Sequence, residues 1–177
     1  MNVLAIGAHP DDIEFGCGGT LLKFAQEGHS VHLLVLTRGE QGGNGDVRVQ
    51  EQKKSAEILR VQELVIGTYP DTRLPLDKEV ISYIEDVMRR VEPDFILTHH
   101  PEDSHQDHRT LSQITLSAAR YVRNLLFYEV PTTDNFRPTV FTDIGSTFEK
   151  KLEALEAHAS QKHKTNIEGL SVTDMAR

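Results

Sequence analysis

The sequence predicts one α/β domain over residues 1–177, with a three-layer, Rossmann-like architecture and a mostly parallel sheet. Short apolar runs alternate with amphipathic stretches along the chain, which is typical of parallel strands joined by helices on both faces of a sheet. The length of 177 residues is that of one domain with its own core. In addition, the two segments richest in ionisable side chains each follow a predicted strand directly.

Six apolar runs predict the strands, at residues 3–6, 31–37, 64–66, 95–97, 125–130 and 139–144. Helices are predicted at residues 18–26, 47–60, 78–91, 108–122 and 146–158. The first helix opens at Gly18 and Gly19 and is stopped by Gly28. In the third helix, Asp77 supplies the capping side chain. Residues 38–46 contain four glycines and predict a flexible surface loop near a site.

The composition excludes several classes of protein. Lys and Arg number 19 and Asp and Glu number 27, so the formal net charge is −8, which disfavours a nucleic acid or an anionic membrane as partner. The single cysteine, Cys17, excludes an internal disulfide and a cysteine-rich zinc site. No apolar run approaches the ~18 residues of a membrane span, and the N-terminus lacks the features of a signal peptide. We therefore expect a soluble, acidic, globular protein of the cytoplasm.

The first ionisable segment, residues 8–19, reads AHPDDIEFGCGG. It places Asp11, Asp12 and Glu14 beside His9, and three acidic side chains repel one another unless a cation neutralises them. The alternative is an ordinary helix N-terminus, where Asp and Glu are favoured by capping and by the helix dipole. The glycines lack the spacing of a dinucleotide motif or a P-loop, so nucleotide binding is disfavoured.

The second segment, residues 98–110, reads THHPEDSHQDHRT and contains four of the nine histidines. His105 and His108 are three residues apart, so they project from one face once a helix begins there. Asp107 points in another direction and suits the role of holding a histidine ring in one tautomer. A solvated polar loop is the alternative interpretation.

Together the two segments supply the donors of a catalytic zinc site, for which two histidines and one carboxylate are an established set. Zinc lowers the pKa of a bound water towards ~7 and polarises a carbonyl group. The chemistry also needs a carboxylate base that is not a ligand, and a proton donor near the developing oxyanion. The pairs Asp11–Asp12 and His105–His108 each offer one ligand and one catalyst, and spacing alone does not assign them.

At these residues the sequence resembles the LmbE/PIG-L family of zinc-dependent N-deacetylases. The main matches are AHPDD at residues 8–12 and the H-x-D-H motif at residues 105–108. Further matches follow in order along the chain, at residues 37–42 (TRGEQG), 48–51 (R-x-x-E), 70–74, 99–101 (HHP) and 154–161 (ALEAHASQ). The resemblance extends over roughly residues 2–161.

The resemblance implies three zinc ligands, His9, Asp12 and His108. It implies that Asp11 is the general base that activates the zinc-bound water. It also implies that His105 stabilises the tetrahedral oxyanion and protonates the leaving amine, with Asp107 orienting His105.

Arg48 and Asp71 stand at positions that contact sugar hydroxyls in relatives, although a surface ion pair between Arg48 and Glu51 is an alternative. The implied substrate is an N-acetylated amino sugar, typically an N-acetylglucosaminyl conjugate, which yields a free amine and acetate. Zn²⁺ or Fe²⁺ suits such a site. Relatives continue where this chain reaches Arg177, so we expect a shorter C-terminal end and a pocket that is more open or completed by another subunit.

Two other functions stay open at this point. The first is a zinc-dependent deacylase whose substrate is another small N-acyl compound. The other is a metal-binding protein without turnover, which would need neither a base such as Asp11 nor an oxyanion donor such as His105.

Overall fold

Five parallel strands form the central sheet in the computed structural model, which describes residues 1–162. They are β1 (Asn2–Gly7), β2 (Ser30–Thr37), β3 (Glu63–Tyr69), β4 (Phe95–His99) and β5 (Leu125–Tyr128), in the spatial order β3-β2-β1-β4-β5. The helices are α1 (Asp12–Gln26), α2 (Gly45–Ile58), α3 (Lys78–Val91), α4 (Gln106–Ala118) and α5 (Phe148–Glu156), followed by a 3₁₀ turn at Ala159–Gln161. The predicted α/β class is therefore confirmed. The end of the predicted domain, residues 163–177, lies outside the described residues.

The strands supply two apolar cores because successive side chains of a strand point to opposite faces of the sheet. In β1, Leu4 and Ile6 face a core completed by α3 and α4, whereas Val3 and Ala5 face a core completed by α1, α2 and α5. All four of these side chains are fully buried. The central strand is apolar on both faces because a helical layer covers each of them.

The order of the strands brings the two ionisable segments together. β1 and β4 are neighbours in space, although two strands and three helices separate them along the chain. Ligands of open parallel sheets bind beyond the carboxyl ends of the strands, at such a change of direction in strand order. The first segment follows β1 and the second includes the end of β4, so both lie at this edge of the sheet. Among residues 1–162, no helix is long and apolar enough to cross a membrane.

Two predicted elements differ from the structure. α1 begins at Asp12 and not at residue 18, so Asp12 and Glu14 lie in the first helical turn, where the helix dipole favours them, and Asp11 is the N-cap. The strand predicted at residues 139–144 is wrong, because that stretch has no regular structure and pairs with no strand. Its apolar residues Val140 and Phe141 are 61% and 81% exposed, so they lack the burial that stabilises a strand. The predicted cap of α3 is confirmed, since the Asp77 carboxylate accepts two N–H groups of the first turn.

Two glycines of α1 differ in the space around them. A Cβ atom on Gly16 would lie 2.1 Å from the Tyr128 ring, whereas one on Gly18 would meet nothing closer than 3.7 Å. Tyr128 is held in place because its hydroxyl donates a hydrogen bond to the Ile6 carbonyl oxygen at 2.9 Å. We expect Gly16→Ala to lower the free energy of unfolding by about 1–3 kcal/mol, the usual cost of overpacking.

Gly18→Ala is the matched control for this prediction. It should leave the free energy of unfolding unchanged or raise it by up to ~1 kcal/mol, because alanine favours a helix over glycine. Urea unfolding of both variants measures the difference, and equal effects at the two positions would contradict the close packing of Tyr128 on α1.

Candidate functional site

The turn after β1 contains a residue with an unusual backbone conformation. Asp11 has a φ of 99°, in the left-handed region that residues other than glycine rarely adopt. Its backbone N–H donates to Oε1 of Gln52 in α2 at 3.2 Å. The following side chain, Asp12, accepts the backbone N–H of His9 at 2.8 Å. The turn therefore directs Asp12 into the protein.

Asp12 is the residue at which the two ionisable segments meet. Its Oδ2 lies 3.2 Å from His9 Nδ1 and 3.1 Å from His99 Nε2, and its Oδ1 lies 3.3 Å from His108 Nε2. All four side chains are buried. Burial alone would raise the pKa of Asp12, but His108, His99 and His9 together hold this pKa well below its usual range. Asp12 is therefore an ionised carboxylate inside the protein.

The outer nitrogen of His9 is held by two further carboxylates. His9 Nε2 lies 3.1 Å from Asp71 Oδ1 and 3.2 Å from Asp107 Oδ2. Asp107 is itself fixed by the backbone N–H groups of Thr72 and Leu74, at 2.7 and 3.2 Å. Burial alone would lower the pKa of His9, but the surrounding carboxylates raise this pKa well above its ordinary value. When the ring is neutral, the two acceptors at Nε2 hold its hydrogen there, so Nδ1 presents a lone pair to the site.

His108 is held in the same way from the other side. Its Nδ1 lies 3.1 Å from Asp103 Oδ2 and 3.2 Å from the Thr132 hydroxyl, and its Nε2 lies 3.3 Å from His9 Nδ1. The outer nitrogen therefore has a carboxylate partner, and the inner nitrogen faces the other donors. This pairing of histidines with carboxylates is the usual surrounding of metal-binding imidazoles.

The spacing of the inner atoms suits a small divalent cation. His9 Nδ1, His108 Nε2 and the Asp12 carboxylate are separated by 3.2 to 3.3 Å. Ligand atoms about 2.0–2.1 Å from a tetrahedral zinc lie roughly 3.3 Å apart. Within residues 1–162, three overlapping groups of donors are close enough to hold an ion, namely Asp12–His99–His108, His9–His105–His108 and His9–Asp71–Asp107.

His105 presents a hydrogen-bond donor to the site, in contrast to the lone pairs of His9 and His108. It is the N-cap of α4, and its Nδ1 accepts the backbone N–H of Asp107 at 3.2 Å. The hydrogen of the neutral ring is therefore on Nε2, since burial and the neighbouring His9 and His108 lower the pKa of His105. The ring centroid lies 4.6 Å from that of His108. His105 can thus donate a hydrogen bond beside the donors that are close enough to hold an ion.

Arg48 of α2 holds the residues before α1. Its guanidinium donates to the carbonyl oxygens of Pro10 and Gly39, at 2.6 and 2.9 Å, and lies 3.4 Å from Asp11 Oδ2. Burial raises the pKa of Asp11 to about 6, although the charge of Arg48 opposes this. The surface ion pair considered for Arg48 is wrong, because Arg48 is only 5% exposed and Glu51 instead accepts hydrogen bonds from Ser160.

A buried polar network lies behind this turn. Gln52 and Ser55 both donate to Glu14 Oε1, at 2.7 and 2.5 Å, and His158 Nε2 lies 3.5 Å from the same oxygen. Burial would raise the pKa of Glu14, but His158 lowers it below its usual value. Because Gln52 also accepts the Asp11 N–H, the network connects α1, α2 and the end of α5 to the turn.

All eight residues that the sequence proposed for the site lie around this group of donors, and they are His9, Asp11, Asp12, Arg48, Asp71, His105, Asp107 and His108. One detail differs. The Asp107 carboxylate lies against His9 and orients that ring, whereas Asp107 holds His105 through its backbone N–H.

The sequence did not assign a role to His99 or Asp103, which contact Asp12 and His108. His99 is the last residue of β4 and is fully buried, and burial lowers its pKa to about 4. The position of His99 at the end of a strand beside β1 is the signal that could have indicated it. Nothing in the spacing of Asp103 distinguishes it from the other acids of its loop.

Comparison with known proteins gives the class of this protein. The family model described as PIG-L, GlcNAc-PI de-N-acetylase, matches residues 4–119. The chain therefore belongs to the PIG-L family, which confirms the resemblance found in the sequence, and the enzyme class that this family and its relatives define is the N-deacetylase.

Individual relatives are similar over most of the chain. The uncharacterized deacetylase YaiS of Escherichia coli (strain K12) is 38% identical and covers 89% of this chain and 90% of its own. Diacetylchitobiose deacetylase of Thermococcus kodakarensis is 32% identical, and the match covers 90% of this chain and 69% of that protein. The 4-oxalmesaconate hydratase of Pseudomonas putida is 28% identical, covering 92% and 74%. The crystal structure of the conserved protein TT1542 from Thermus thermophilus has a TM-score of 0.84 at 28% identity, covering 93% and 82%.

Proposed function

We propose that this chain removes the N-acetyl group from an N-acetylglucosaminyl-type amino sugar conjugate, with Zn²⁺ bound by His9, Asp12 and His108. The observation that supports this most directly is the convergence of His9 Nδ1, His108 Nε2 and the Asp12 carboxylate, each histidine having a carboxylate on its outer nitrogen. The relative that deacetylates diacetylchitobiose supports an acetamido sugar as substrate. Fe²⁺ could occupy the same set of ligands.

The reaction divides among the residues around these donors. When bound, the zinc ion lowers the pKa of a water and polarises the acyl oxygen. Asp11 accepts a proton from the attacking water, and its raised pKa of about 6 makes it a stronger base than an ordinary aspartate while it is still ionised at neutral pH. His105 donates a hydrogen bond from its Nε2–H to the developing oxyanion. A neutral His105 that gave up this hydrogen would be left as an imidazolate, so the proton that Asp11 has taken from the water passes to the leaving nitrogen, in place of the transfer from His105 that the resemblance implies. The products are a free amine and acetate.

Arg48 and Asp71 are our candidates for contacts with sugar hydroxyls. Both already have partners in the protein, since Arg48 holds the turn and Asp71 accepts the Gln41 N–H at 2.8 Å. Both also lie beside residues of the proposed reaction, since Arg48 is 3.4 Å from Asp11 Oδ2 and Asp71 is 3.1 Å from His9 Nε2.

The hydratase among the relatives supports a second candidate, the addition of water to a carbon–carbon double bond. The same water, base and metal-binding donors could serve that reaction. The position of His105 next to His9 and His108 favours amide hydrolysis over hydration. Amide hydrolysis develops negative charge on a single acyl oxygen, which His105 could stabilise by a hydrogen bond. A deacylase of another small N-acyl compound would use the same chemistry with a different pocket.

A free-amine assay tests the proposed reaction. We expect the zinc-loaded protein to release amine from at least one member of a panel of N-acetylglucosaminyl conjugates, and protein treated with a chelator to release none. Other N-acyl compounds and an unsaturated dicarboxylic acid belong in the same panel. Release of amine only from the other N-acyl compounds, or hydration alone, would exclude the amino sugar as substrate.

Asp11→Asn tests the general base. Asparagine tolerates the left-handed backbone conformation and has the same size, so the turn should persist. We expect turnover to fall by about 10²–10⁴-fold, the usual contribution of a general base, while one zinc per chain is retained. Steady-state kinetics and metal analysis of the purified variant measure both quantities. Full activity would show that Asp11 is not the base.

His108→Ala tests the ligand set. We expect the affinity for zinc to fall by more than about 100-fold, because even the outer partners of metal ligands contribute 10–100-fold. His100→Ala is the matched control, since His100 belongs to the same segment but contacts the Glu102 backbone and no donor of the site. Competition with a chromophoric chelator measures the affinities, and unchanged binding by His108→Ala would refute this assignment.

A further inference from the structure

A second cavity lies apart from the catalytic residues. It has a volume of about 850 Å³, is partly open to solvent, and is lined mainly by α1, the edge strand β5 and residues 129–144. This volume is typical of sites for small molecules. The walls include none of the eight residues proposed above for metal binding, catalysis or substrate binding. The cavity is therefore a separate space in the protein.

Lys151 of α5 is a buried cation in the wall of this cavity. Its side chain is only 9% exposed and has no hydrogen-bond or ion-pair partner in the part of the chain that the structure describes. The stem of Lys151 crosses α1 at Gly18, where a Cβ atom would lie 3.7 Å from Lys151 Cγ. Burial lowers the pKa of the ammonium group. The ammonium group keeps some contact with solvent but has lost part of its hydration, and an anion in the cavity would compensate for this loss.

The rest of the wall indicates the kind of anion. The other charged lining residues are Arg137 and Glu129, whose charges offset each other, so Lys151 leaves one net positive charge. About half of the remaining surface is apolar, with aromatic and aliphatic side chains from Phe15, Leu126, Phe127, Phe136 and Ile144, and the other half is polar. A single positive charge beside apolar walls favours a monoanion with an apolar body over a phosphate or a dianion.

We propose that this cavity binds an organic carboxylate, with its charged group paired to Lys151 and its aromatic or aliphatic body against the phenylalanine side chains. The inference depends on the cavity and on Lys151, and it holds whether or not the chain deacetylates amino sugars. It adds a binding site for a second small molecule to the metal-binding edge of the sheet.

The probe is 2-naphthoate, with 2-naphthamide as its uncharged counterpart. The chain contains no tryptophan, so naphthalene fluorescence can be followed without tryptophan emission. Both compounds are titrated into the full-length, zinc-loaded protein and into two variants. Lys151→Met removes the buried charge, and Lys150→Met removes a neighbouring charge that is exposed and paired with Glu153.

We expect 2-naphthoate to bind the unmodified protein and Lys150→Met equally, and Lys151→Met at least about tenfold more weakly, because a partly buried ion pair is lost. The amide should bind weakly to all three proteins. Thermal unfolding provides a second readout, in which 2-naphthoate raises the Tm of the unmodified protein and Lys150→Met but not of Lys151→Met. Lys151→Met alone should be at least as stable as the unmodified protein, since it removes an unpaired buried charge.

Three results would overturn the proposal. The first is no binding of 2-naphthoate at millimolar concentration, and the second is equal binding of the acid and the amide. The third is binding that survives Lys151→Met and disappears when the metal is removed, which would place the anion at the metal site. None of these readouts depends on turnover, so they are independent of the free-amine assay.

Discussion

The buried Asp12 carboxylate is the group on which the arrangement of the site depends. A charge at this depth is stable only when donors or opposite charges surround it. Its histidine partners come from the end of β1, the end of β4 and the first turn of α4, which are far apart in sequence. The sheet order that places β4 beside β1 is therefore a condition for keeping Asp12 ionised. When β4 lies beside β1, the same contacts also hold α4 against the sheet.

The left-handed backbone conformation of Asp11 places the adjacent carboxylates of Asp11 and Asp12 in different surroundings. This conformation costs about 1–2 kcal/mol for a residue other than glycine, and the hydrogen bonds that Gln52 and Arg48 of α2 make to the turn offset this cost. The turn places the Asp12 side chain among the histidines and leaves the Asp11 side chain 15% exposed. Histidines lower the pKa of one carboxyl and burial raises that of the other. Divergent pKa values in one site are what acid–base chemistry requires.

The sequence contained the local signals of this architecture but not its long-range contacts. Alternation of apolar runs predicted the parallel sheet, and segments at the strand ends predicted where ionisable side chains would gather. The strand at residues 139–144 failed because its β-rich composition has no partner to bury it. Asp107 was assigned to the neighbouring ring of His105, whereas its actual partner is 98 residues away. Only the folded chain decides between two such partners.

The partners of each histidine explain why one site contains two kinds of imidazole. His9 and His108 have carboxylates at their outer nitrogens, so their inner nitrogens offer lone pairs to a cation. His105 has a backbone N–H at Nδ1, so its other nitrogen offers a hydrogen. In the proposed function, a carboxylate partner thus suits a histidine to bind the metal, and an amide partner suits one to donate to the oxyanion. The start of α4 sets this difference, because His105 is its N-cap and accepts a backbone N–H, whereas His108 lies inside the first turn, where Asp103 contacts its Nδ1.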